Sequence, residues 1–108
     1  MAERTPNLVS EDTDIARRFA DYLQREIHVF GLYLFGYCAR SDARVDSDID
    51  IAVVSDSFTG DPVDDMAMLL LLKSKVDNRI EPHPFLPDDF TEANPFARAI
   101  METAVRIV

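Results

Sequence analysis

From Asp48 to Val54 the chain reads Asp-Ile-Asp-Ile-Ala-Val-Val. In a β-strand, successive side chains point to opposite sides. Such a strand sends Asp48 and Asp50 one way and Ile49, Ile51 and Val53 the other. The apolar set demands a core, and the acidic set has to be left open. Two adjacent carboxylates repel and raise each other's pKa unless a cation joins them. Oxygen ligands at this spacing suit Mg²⁺ or Mn²⁺, ions that often bring a phosphate substrate. By itself an Asp-x-Asp at a strand end is commonly a solvated loop edge. A glycine turn upstream, in Phe35-Gly36-Tyr37-Cys38-Ala39-Arg40, and a third carboxylate downstream, Glu81, shift the balance toward a site.

The remaining elements follow from periodicity and punctuation. Residues 1–9 read as a loose tail, and Ser10-Glu11-Asp12-Thr13-Asp14 offers a cap and first-turn acids for a helix. Ile15, Phe19, Tyr22, Leu23 and Ile27 then recur at helical spacing. Val29 to Phe35 is a continuous apolar run suited to a buried strand. Asp61-Pro62 opens a helix running to about Val76, and Asn78 to Phe85 reads as a third strand. Pro82 and Pro84 place that strand at an edge or an irregular end. Pro87 to Phe90 is a turn or short helix. Asn94 caps a last helix with Pro95 at its first position, and Ala104 to Val108 adds a short strand. Helix, strand, strand, helix, strand, helix describes a small α/β mixed sheet with helices packed on it, without the regular alternation of a doubly wound fold.

At 108 residues the chain forms one domain. With 47% apolar residues it can bury a modest core, and no apolar run reaches the roughly 18 residues a membrane span needs. Met1-Ala2-Glu3-Arg4 carries no apolar signal region. The single cysteine, Cys38, rules out an internal disulfide and a cysteine-rich zinc site, and fits a cytoplasmic location. Twenty acids face eleven bases, a net charge of -9, with no basic stripe for non-specific nucleic-acid binding. Met66 to Leu72 is seven consecutive apolar residues. At about 100° per residue they encircle a helix, so one side is left for a partner or a second copy unless loops cover it.

Gly36 to Val54 resembles the signature of the minimal nucleotidyltransferases, a branch of the DNA polymerase β-like superfamily. The matching residues are Gly36, Ala39, Arg40, Ala43, Arg44, Asp46, Ser47, Asp48, Asp50 and Ile51. The serine that follows the first glycine in the family is Tyr37 here, and the glycine after Ala-Arg is Ser41. Arg79-Ile80-Glu81-Pro82-His83-Pro84-Phe85 looks like the third motif of one branch, with Glu81 as the third acid. The resemblance covers roughly residues 14–108 and implies the polymerase β-like fold.

It also implies a chemistry. Asp48 and Asp50 would bridge two Mg²⁺ or Mn²⁺ ions, and Glu81 would complete the site or take the proton of the attacking hydroxyl. Gly36, Tyr37, Arg40 and Ser47 would hold the triphosphate of ATP. Gly36 admits a close phosphate because it lacks a Cβ. Tyr37 keeps the backbone amide but carries its hydroxyl further out, and Ser41 adopts left-handed backbone only at a cost. His83 shares a strand face with Glu81; it either orients that acid or the substrate or is a surface histidine between prolines. His28 reads as a helix-end residue.

Stand-alone domains resembling this one are commonly encoded beside a helical HEPN-domain ribonuclease, where some act as antitoxins by transferring AMP to the toxin. The resemblance thus implies an AMP-transferring antitoxin. The departures at Tyr37 and Ser41 point to the alternative, a weakened domain that neutralises its partner by contact. A small-molecule nucleotidyltransferase is disfavoured, since such enzymes normally carry an extra substrate domain.

Overall fold

A computed structural model describes residues 6–35 and 48–108, with side-chain surroundings given from residue 11 onward. Helix α1 spans Pro6–Glu26. It buries Ile15, Phe19 and Leu23 together with Ala16 and Ala20, the stripe that the helical spacing predicts. Its start corrects the expected loose tail of residues 1–9, because 6–9 are already helical. Pro6 suits a first helical turn, since its fixed φ is helical and its missing N–H has no partner to lose there. The acids at 11–14 consequently lie inside the helix, and Asp12 is buried.

Strand β1 is Gly31–Phe35, β2 is Ile49–Val54, β3 is Ile80–Phe85 and β4 is Val105–Arg106. The sheet order is β3-β2-β1-β4. β1 pairs antiparallel with β2 and β4, whereas β3 runs parallel to β2, so the sheet is mixed. Pro82 and Pro84 lie on an edge strand, as expected, where only one side needs ladder bonds.

Helix α2 runs Pro62–Lys73. Asp61 caps it, accepting from the Val63 and Asp64 amides at 2.9 and 3.3 Å. Just inside, the buried Asp65 carboxylate accepts from the Thr59 amide and hydroxyl and from the Gly60 amide, at 2.8 to 3.0 Å. Gly60 has φ of +93°, which lets the loop fold back over that carboxylate. A 3₁₀ turn at Pro87–Asp89 precedes α3, Pro95–Thr103, which is capped by Asn94 as expected.

The sheet separates two cores. Ile49, Ile51, Val53, Leu32, Leu34 and Ile80 face α1 and Leu69 of α2. On the other side Ala52, Val54 and Phe85 meet Ala97 and Ile100 of α3. Met68 and Leu72 pack inward beside Leu69. Val63, Ala67, Leu70 and Leu71 are exposed, with Leu71 at 69%. Positions 63, 67, 70 and 71 form one helical stripe, so loops among the described residues do not cover the outer side of α2.

Candidate functional site

The site is a consequence of strand parity. Asp50 lies on β2 opposite Glu81 on β3, and Ala52 lies opposite His83. Residues two apart share a face, so Asp50, Glu81 and His83 all project from the side that carries α3. That helix covers the Ala52–Val54 end of the face. The Asp50 end is polar, with Asp50 and Glu81 side by side and His83 against Asp50. One potential ligand atom each from Asp50, Glu81 and His83 lies within 4.8 Å of the others. Asp48, exposed just ahead of β2, is not in that convergent group, though its charge reaches Glu81.

The Glu81 carboxyl is held above the usual range for a carboxylic acid. Desolvation contributes most, then the charges of Asp50 and Asp48 and a hydrogen bond with Asp50, with His83 acting in opposition. Crowded anions of this kind are relieved by a cation. Two carboxylates and an imidazole within 4.8 Å are a donor set able to hold a divalent ion.

His83 is not an isolated surface histidine. Its Nε2 lies 3.2 Å from Asp50 Oδ1, and its side chain is 26% exposed. Phe35 and Phe96 meet the ring edge-on at centroid distances of 5.1 and 5.9 Å. The sequence signal was its position two residues beyond Glu81 on one strand face; its contact with Asp50 needed the β2–β3 register. The two phenylalanines carried no such signal, since Phe96 comes from α3. His28 stands away from this group, 3.3 Å from Asp56 and mostly exposed. The phosphate-turn candidates Gly36, Tyr37, Arg40 and Ser47, along with Cys38, Ser41 and Arg44, lie outside the described residues.

A mixed α/β sheet that presents acids from two adjacent strands at one end is a frame on which divalent ions could be held. Residues 17–107 match the family described as polymerase beta, nucleotidyltransferase, and the chain belongs to that family. Its fold is similar to the crystal structure of a Sulfolobus solfataricus protein provisionally described as a nucleotidyltransferase. The TM-score is 0.66 at 17% identity, covering 98% of this chain and 87% of the other. None of the curated proteins matches. Among the described residues, no helix is long and apolar enough to cross a membrane.

Proposed function

We propose that this chain transfers AMP from ATP to a hydroxyl of a protein partner, using Mg²⁺ or Mn²⁺, and serves as the antitoxin of a cytoplasmic HEPN-domain toxin. The observation that carries the reading is the pairing of Asp50 with Glu81 across β2 and β3, beside Asp48. Asp48, Asp50 and Glu81 would hold the divalent ions. Once bound, these supply Lewis-acid stabilisation of the charge that develops on the α-phosphate and on departing pyrophosphate. In this scheme the attacking hydroxyl oxygen forms a bond to the α-phosphorus, and the α–β phosphoanhydride bond breaks. Pyrophosphate leaves with the electron pair, while the hydroxyl proton passes to Glu81, which stands on the same face.

The outer stripe of α2 supports the partner. Val63, Ala67, Leu70 and Leu71 form an apolar side that a helical protein can cover. A net charge of -9 on each copy disfavours the alternative occupant, a second copy of this chain. The same charge fits a partner other than non-specific nucleic acid.

Incubating the co-purified pair with α-labelled ATP and Mg²⁺ or Mn²⁺ should label the partner by the mass of AMP. Asp50→Asn should lower that labelling by about three orders of magnitude. Unchanged labelling in a folded Asp50→Asn chain would overturn the assignment. The second reading, neutralisation by contact, is favoured by Tyr37 and Ser41 where the family pattern has serine and glycine. Tyr37→Ser with Ser41→Gly should raise transfer at least about tenfold, because a recovered charge-assisted hydrogen bond is worth about 1.5–3 kcal/mol. No transfer from either form, together with full neutralisation of the partner, would decide for the second reading.

A further inference from the structure

We infer that His83 is itself a metal ligand, and that its imidazole turns an all-oxygen site into one that prefers Mn²⁺ to Mg²⁺. The inference rests on the nucleotidyltransferase reading and deepens it. Its first support is a distance. Two ligands at right angles on an octahedral ion, each about 2.1 Å from the metal, lie about 3.0 Å apart. His83 Nε2 and Asp50 Oδ1 are separated by 3.2 Å, so an ion can sit against both with little rearrangement.

The second support is preorganisation. The His83 ring packs edge-on against Phe35 and Phe96, whose rings also meet each other at 5.8 Å. Its strand position opposite Ala52 puts no bulky residue between it and Asp50. A ring held in this way spends little rotamer entropy on binding. The third support is convergence, because the Glu81 carboxylate lies within 4.8 Å of both other ligand atoms. A structural histidine needs only a hydrogen bond; this one also faces a second acid.

The chemical consequence follows from ligand type. Mg²⁺ demands oxygen donors in near-ideal octahedral geometry and gives up its water reluctantly. Imidazole suits first-row transition ions better than Mg²⁺; Mn²⁺ gains least among them, but of the two ions considered it is the one a nitrogen donor favours. His83 would hold the ion through Nε2, as a neutral imidazole, in place of its hydrogen bond to Asp50.

Selective labelling of histidine with ¹⁵N and pulsed electron paramagnetic resonance of Mn²⁺ test this directly. The full chain is loaded with Mn²⁺ and inorganic tripolyphosphate, which contains no nitrogen. A directly bonded ¹⁵N coupling is expected in the wild type and in His28→Gln, which alters the other histidine of the chain. The coupling should vanish in His83→Gln, with Mn²⁺ affinity falling about tenfold or more and Mg²⁺ displacing Mn²⁺ more easily. If His83→Gln does not fold, the wild-type and His28→Gln spectra decide alone. Bound Mn²⁺ with no histidine coupling would overturn the ligand role and leave the transferase reading to its own labelling test. Failure of the wild type to bind Mn²⁺ with tripolyphosphate would overturn both.

Discussion

Asp50 and Ile51 are adjacent on β2 and live in opposite surroundings. Ile51 is fully buried under α1 and α2, in a layer built with Leu32, Leu34, Ile80 and Leu69. Asp50 is on the side of α3, outside the apolar cluster that helix forms with Ala52, Val54 and Phe85, and against Glu81 and His83. The same sheet therefore gives one face over to packing and leaves part of the other for polar chemistry. Stability should be concentrated on the first face and function on the second.

The sharpest way to break that comparison is to change neighbours on one strand. Ile51→Ala should lower the unfolding free energy by about 2–5 kcal/mol, as for other fully buried large-to-small changes. Asp50→Asn, one residue away, should stay within about 0.5 kcal/mol of wild type or gain stability, since it relieves repulsion of Glu81 and leaves the core intact. Urea unfolding of the two variants measures both. A loss above about 1 kcal/mol for Asp50→Asn would make the acid end a structural element.

Asp12 provides a contrast with the acid end. It is buried in α1 at 4% exposure, and its Oδ2 finds no hydrogen-bond partner among the described residues. Burial pushes its pKa up to about 6; the Arg79 charge opposes this, and Glu11 and Asp77 add to it. Because the folded pKa lies above the ordinary value of 3.8, the folded state binds this proton more tightly. The stabilisation is therefore complete below about pH 4 and is lost as pH rises toward about 6. From a shift of this size, Asp12→Asn should gain about 2–3 kcal/mol on wild type across that interval. Urea midpoints between pH 4 and 7 read the difference directly, and parallel curves for the two proteins would remove Asp12 from the account.

The smallest effect on stability is expected on the outside of α2. Leu70→Glu with Leu71→Glu should change unfolding by no more than about 0.5 kcal/mol per site, whereas Leu69→Glu, at a fully buried position, should unfold the domain. The paired outer change should nonetheless release a helical partner, because burying each leucine is worth about 1.5–3 kcal/mol. Light scattering of the chain alone and with its partner tests this. Retention of the partner by the outer variant would move the interface elsewhere, and a wild-type dimer that the variant splits would replace that partner with a second copy.

Much of this arrangement was legible from local patterns. The alternation from Asp48 to Val54 predicts which side chains share a face. Asp61 and Asn94 announce two helix starts through their prolines and caps, and both side chains do accept the expected amides. Pro82 and Pro84 mark β3 as an edge strand because they cannot donate to a ladder. The helix start at Pro6 was not legible, because acids at 11–14 make an equally good first turn when only neighbours are compared. Met66 to Leu72 likewise concealed its inner side, since every position is apolar and the pattern has no phase.

By itself, then, the sequence determined the order of elements, the two-sided character of β2, the candidate acids Asp48, Asp50 and Glu81 and the family signature, because periodicity, capping and motif spacing act over a few residues. Tertiary structure alone decided three other matters. Parallel pairing set Asp50 opposite Glu81 and brought His83 within reach; α3 carried Phe96 to the same ring; and docking of α2 through Met68, Leu69 and Leu72 turned Leu70 and Leu71 outward. Each depends on contacts between residues distant along the chain, where strand register and the single way of filling a close-packed core select among patterns that are locally equivalent.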